Sequence, residues 1–263
     1  MRDWRSLGWI ASALVVMLLT VAVELPAAWV APAVNGAMRG AGIGLVDVQG
    51  SLWQGDGLIA LSPAAGRDAS SGGERFSLPG RLRWNISPAS LFSGRIEARI
   101  SHPALAHDLV ATRGLFDAGG ATTIDAGQAR LDAQALVALG APFNTLKPEG
   151  QLRFAWDTLA ATREGIRGGV TIEWLQAASV LSPIKPLGSY RLVLSAAGGA
   201  ADLVLTTLND PLTLEGRGRM TAASGLQFNG IASADAAMLG QLNGLLSVLG
   251  RRDGDRAILR FGT

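Results

Sequence analysis

A mainly β fold is predicted: one curved, largely antiparallel sheet of groove or sandwich form, with a few short helices, behind a single N-terminal transmembrane helix. Three observations predict it. Apolar and polar residues alternate in short runs, most runs open at a glycine, and one charge-free stretch, Leu7 to Val23, precedes them all. Alternation with period two marks strands that bury one face and solvate the other, the pattern of an antiparallel sheet.

The charge-free stretch comes first. Its seventeen residues follow MRDWRS, and Glu24 and Pro26 close it. At about 1.5 Å per residue it just covers a hydrocarbon core of roughly 30 Å. Arg2 and Arg5 before it keep the first residues in the cytoplasm and send the rest across. A cleaved signal peptide has a shorter apolar region, and the small residues of Ala31-Pro32-Ala33 lie well past this one. The division expected is a cytoplasmic tail (1–6), an anchor (7–25), a linker with a short Pro32-interrupted helix or turn (26–44) and a periplasmic β domain (45–263).

Within that domain the strands read out in order. GRLRWNI places Leu82, Trp84 and Ile86 on one face, and GRIEARI places Ile96, Ala98 and Ile100 there. GQLRFAW adds Leu152, Phe154 and Trp156; GVTIEW adds Val170, Ile172 and Trp174; GSYRLVL adds Tyr190, Leu192 and Leu194. LTLEGRGRM and LQFNGIA carry the stripe on through Gly216, Gly218, Phe228 and Gly230, and AILRFG is the last strand. GSLWQGDGLIAL reads as the first strand, with Trp53, Gly55, Gly57, Ile59 and Leu61 on one face. Glycines at every second position thin that face, so Gly55 and Gly57 are expected beneath a large neighbour or at a bend.

Helices are fewer. SPASLFSG reads as one turn between two strands, and Ala129 to Gly140 as a short helix. The next is predicted from an N-cap at Ser233 through Leu239, Leu242, Leu245, Leu246 and Leu249 to a stop at Gly250. Ser62 to Glu74 is a low-complexity linker.

Composition narrows the chemistry. The 263 residues are 48% hydrophobic and 17% charged, which excludes a disordered chain. The net charge of +2 comes from scattered arginines, with no basic cluster for nucleic acid. Without cysteine there are no disulfides, thiolate nucleophiles or thiolate metal sites. His102 and His107 read as surface or loop residues rather than metal ligands. GAGIG at 40–44 lacks dinucleotide-loop spacing and context, and no nucleotide, metalloprotease or serine-hydrolase motif occurs. Asp47, Asp56, Glu97 and Glu173 sit on different strands and read as solvated charges. The reading is a non-enzyme with no catalytic residue, no metal and no cofactor. Trp53, Trp84, Phe154, Trp156, Trp174, Tyr190 and Phe228 form the candidate apolar face, either closed core or a contact surface for a partner or a lipid.

Several stretches then combine in a recognisable order: VQGSLWQGDG, LRWNISPASLFSGRIEARI, SPIKPLGSYRLVLS, TLNDPLTLEGRGRMTAASGLQFNGIASA and LNGLLSVLGRRDGDRAILRFG. Together they resemble the type II secretion system protein N family, also called general secretion pathway protein N. The resemblance implies an accessory inner-membrane component, non-enzymatic and single-pass, that supports export of folded proteins across the outer membrane. It implies other inner-membrane secretion subunits as partners, with the outer-membrane secretin as a further candidate. A looser similarity to the groove-like domains of AsmA-type envelope proteins implies the alternative, a membrane-anchored periplasmic module that binds or transfers lipid.

Overall fold

Antiparallel pairing runs through nearly the whole chain in the computed structural model, which describes residues 9, 24–38, 43–61, 76–116, 120–140, 143–221, 223–235 and 237–262. The expected anchor, apart from Trp9, Glu24 and Leu25, and the Ser62–Glu74 linker lie outside these residues. Among the described residues, no helix is long and apolar enough to cross a membrane.

Helix α1, Ala27–Met38, carries Pro32 inside it and packs on the first strand, and α2 is the single turn Phe143–Leu146. The strands are β1 (Ile43–Gly50), β2 (Gln54–Leu61), β3 (Phe76–Ile86), β4 (Arg95–Ser101), β5 (Leu109–Gly114), β6 (Thr122–Ile124), β7 (Gly127–Asp132) and β8 (Pro148–Trp156). Then follow β9 (Leu159–Thr162), β10 (Gly165–Ser179), β11 (Gly188–Gly198), β12 (Ala200–Asn209), β13 (Leu212–Thr221), β14 (Gly225–Ala234), β15 (Arg251–Asp253) and β16 (Arg256–Phe261). They form one open, 16-stranded antiparallel sheet in the order β1-β2-β3-β4-β5-β6-β9-β10-β11-β12-β13-β14-β16-β15. A second sheet, the sandwich alternative, does not occur among the described residues.

The sheet forks at β10. Residues 165–167 of that long strand pair with β9, while residues 170–179 pair with β8, which carries β7 on its outer side. Bulges bend the strands at several points. One lies between Val46 and Gln49, where Asp47 has φ 50°; another lies between Trp174 and Ala177, where Gln176 has φ 49°.

Three sequence expectations are corrected. Ser51 to Trp53 form the turn between β1 and β2, so Trp53 is outside any strand and the quoted stretch supplies the second strand. Gly50, at φ 88°, starts that turn, which the Ser51 N–H closes onto the Gln54 carbonyl at 2.7 Å. The predicted helix over Ala129–Gly140 is half strand: β7 runs to Asp132, and only Ala133–Leu139 turns, as a 3-10 helix capped by the Asp132 carboxylate on Gln134 N–H at 2.8 Å. Ser233 is not an N-cap. It lies in β14, paired with Thr213 on one side and Arg256 on the other, and the helix α3 begins at Leu239 (Leu239–Leu249). Arg251 and Arg252, past the stop at Gly250, form β15.

The predicted leucine stripe is the core. Leu242, Leu245 and Leu246 are buried against Leu212, Phe228, Ala232, Ala257 and Leu259 of the sheet and Leu187 of the loop before β11. Gly240 and Gly244 lie within α3, and a methyl group on either would meet nothing within 4 Å. Gly244→Ala is therefore expected to stabilise the fold by about 0.5–1 kcal/mol, the helix-propensity gain, as a raised urea midpoint.

Candidate functional site

Cross-strand partners share a face, so the register traces the apolar stripe through the sheet. Trp84 pairs with Ile100 and Ile100 with Leu109; Ala98, Ala111, Ile124 and Leu159 form the next row. Ala161 pairs with Ile166, which lies on the Val170 face of β10. From there one row runs Trp156, Val170, Leu194, Leu203, Gly218, Phe228 and Phe261, and beside it lie Phe154, Ile172, Leu192 and Leu205. Six of the seven predicted aromatics (Trp84, Phe154, Trp156, Trp174, Tyr190 and Phe228) are thus on one face of one sheet. Trp53, in its turn, is the exception.

Glycine placement explains how the rings fit. A Cβ on Gly55 would strike the Trp84 ring, so the indole lies flat across that glycine, as the sequence anticipated. Gly127 beneath Trp156 repeats the arrangement, and Gly216, Gly218 and Gly230 together admit Phe228. Each of these indoles also reaches a backbone carbonyl with its N–H: Trp84 to Leu52 at 3.1 Å, Trp156 to Asp125 at 2.9 Å and Trp174 to Glu149 at 3.0 Å. The Tyr190 hydroxyl donates to Leu212 at 2.9 Å, and its burial pushes its pKa well above the ordinary phenol value. Trp174 and Tyr190 meet at 6.0 Å between ring centroids, tilted by 59°.

Among the described residues, helices α1 and α3 stand over the two ends of this face. The α3 core closes one end, while the mid-sheet residues Val170, Ile172, Leu192 and Leu194 remain half-buried. At the other end Ala27, Ala31 and Val34, one face of α1, stand over Leu82, Trp84 and Ile100, and between them lies a carbon-lined cavity of about 290 Å³. Asn35 ties α1 to the sheet margin: its amide donates to the Leu45 carbonyl at 2.9 Å and accepts from the Leu45 N–H at 2.7 Å. A side chain thereby occupies the edge groups that a further strand would use.

The opposite face is polar. Asp47 and Asp56, read from sequence as separate, converge on Arg81, which bonds Asp47 at 2.5 Å and Asp56 more closely still. The Arg81 guanidinium holds the Asp47 carboxyl below its ordinary range. Glu173 sits between Arg153, at 3.6 Å, and Arg191, at 2.8 Å. These carboxylates are matched by guanidinium groups, and no cluster of metal-ligating side chains occurs among the described residues.

His102 lies in the loop between β4 and β5, as read, but is buried, while His107 is exposed. Its Nδ1 accepts the Ala104 N–H at 3.0 Å, an acceptor role that protonation would abolish. Burial lowers its pKa, against a weaker contrary pull from the Gly80 backbone. The unfolded chain therefore takes up the proton first. Stability is expected to hold above the ordinary value of 6.5 and to fall as pH drops below it toward the folded value. Urea midpoints at pH 7.5 and 5.5 check this, and His102→Leu should shrink the difference.

No curated protein and no solved structure matches the chain. The sequence profile of one family, described as type II secretion system (T2SS), protein N, matches residues 41–259, which takes in the sheet from β1 into β16 and helix α3. With the match spanning most of its length, the chain belongs to the type II secretion system protein N family, accessory components of the secretion apparatus.

Proposed function

We propose that this chain is a non-enzymatic periplasmic scaffold of the type II secretion system, held at the inner membrane by residues 7–25, whose sheet docks other secretion subunits. The observation that carries the reading is the half-buried middle of the apolar face between its two helix-covered ends. Such a surface suits a partner that lays an apolar face or an extended strand across it. Other inner-membrane subunits are the first partners, and the outer-membrane secretin is the more distant one. Because the chain has no cysteine, a single one places a crosslinker at a chosen site. Leu194→Cys, on the apolar face, is expected to capture secretion subunits in intact membranes, and Val193→Cys, on the polar face, to capture none. Equal capture at both, or unchanged secretion of every folded substrate in a deletion strain, would sink the reading.

The carbon-lined cavity beneath α1 favours a second reading, a membrane-anchored module that holds lipid. Its chemistry fits an alkyl chain and offers nothing to a polar headgroup. Native mass spectrometry of the full chain is expected to show an added acyl-lipid mass, absent from Ala31→Phe, which fills the cavity. A bare mass in both would remove this alternative.

A further inference from the structure

We propose that the rim of the sheet carrying Phe92, Leu115 and Phe116 rests on the lipid bilayer, with both phenyl rings among the headgroups and upper acyl chains. Phe92 lies in the 3-10 turn Pro88–Ser93 that joins β3 to β4, and Phe116 follows β5. Their exposures are 97% and 88%, and Leu115 between them is 43% exposed. A methyl on Gly94 would meet the Phe116 ring at 3.0 Å, so the two turns are neighbours and present one apolar tip.

This tip lies on the rim where the chain arrives from its charge-free segment. The Leu52 N–H donates to the Leu25 carbonyl at 2.8 Å, and Pro26 bridges to Ser51. From that turn the Ile86 N–H donates to Trp53 at 2.6 Å, at the entrance to the Phe92 turn. The Leu115 N–H donates to Gly94 at 2.9 Å, which adds the Phe116 connection. Leu25, Trp53, Phe92 and Phe116 are therefore linked along one edge of the molecule.

The tether decides what this rim faces. Pro26 is three residue steps beyond Val23, the end of the charge-free stretch. At about 3.3–3.6 Å per residue they reach roughly 10 Å, so a chain anchored by residues 7–25 cannot lift the Ser51 turn far from the bilayer surface. A folded partner does not fit into so small a gap; lipid headgroups already occupy it. The flanking charge agrees. Arg95 and Arg113, the charged residues nearest the tip on β4 and β5, are exposed and enter no ion pair among the described residues, which suits anionic headgroups. The proposal rests on the reading of residues 7–25 as an anchor, and the test separates the two.

The test places one nitroxide label on the full chain, reconstituted in vesicles of phosphatidylethanolamine and phosphatidylglycerol. Phe92→Cys and Phe116→Cys report the rim, Ala13→Cys reports the anchor, and Val180→Cys, beyond the far end of β10, reports water. Power saturation compares collisions with oxygen, which concentrates in lipid, and with a nickel chelate, which stays in water. The rim labels are expected to show an oxygen-to-nickel ratio several-fold above that at Val180→Cys. Ratios equal to that control, with Ala13→Cys in lipid, overturn the rim proposal and leave the anchor standing. Rim labels shielded from both reagents overturn it too, since that pattern means protein contact. Should Ala13→Cys itself read as water, the anchor reading fails, and the rim labels still decide the rim, oxygen for it and nickel against it.

Discussion

Leu242→Ala is expected to lower the stability of the full chain by about 3 kcal/mol, seen as a reduced urea midpoint with an unchanged denaturant slope. Leu242 is 0% exposed and sits between Leu245 and Leu246 of α3 and the Phe228, Ala232 and Leu259 side of the sheet. Truncation removes the transfer energy of the lost carbons and leaves a void that the paired strands below are too constrained to fill. Val248 belongs to the same helix but is 42% exposed, so Val248→Ala should stay within about 0.5 kcal/mol. Equal losses at the two positions would mean that α3 is not seated on the sheet as described.

Gly216→Ala is expected to cost about 2–3 kcal/mol, an unusual penalty for adding one methyl group to a strand. A Cβ there would collide with the Phe228 ring, and it would also stand 2.8 Å from the Asn229 carbonyl and 2.9 Å from the Gly230 Cα. The ring can move; the paired backbone of β14 cannot move without breaking its ladder to β13. Phe228→Leu should therefore recover part of the loss, about 1 kcal/mol of coupling in a double-mutant cycle, and leave the backbone component. Full additivity of the two changes would show that the ring does not lie over Gly216.

The stripe of alternate apolar residues was readable because each of these strands has one apolar and one polar face. Gly216 and Gly218 could be placed on it even without side chains, since period two assigns a face to every position. Misreadings arose where distant pairing overrode a local signal. Ser233 has the chemistry of a helix cap, yet β13 and β16 hold it from both sides as a strand residue. Ala129 to Asp132 would suit a helix in isolation, and β8 claims them instead. The convergence of Asp47 and Asp56 on Arg81 depends on the bulge at Asp47, which no alternation pattern registers. Phe92 and Phe116 lie outside every periodic run. Only the return of two hairpins to the same rim brings them together.

Strand order has a temporal consequence. Apart from the β6–β9, β8–β10 and β14–β16 junctions, every pairing joins strands that follow one another in the chain. Loop closure between such neighbours is short and entropically cheap, which favours rapid, local assembly. A nascent chain can thus add one hairpin at a time to a growing margin, beginning at the α1 end. Helix α3 is among the last elements to emerge, and it brings the leucines that complete the core. A ribosome-release or translocation stall before residue 239 would leave a sheet with its pairing largely made and its Phe228 side unsealed. Such an intermediate should bind hydrophobic dyes and holdase chaperones, and lose both once α3 has followed.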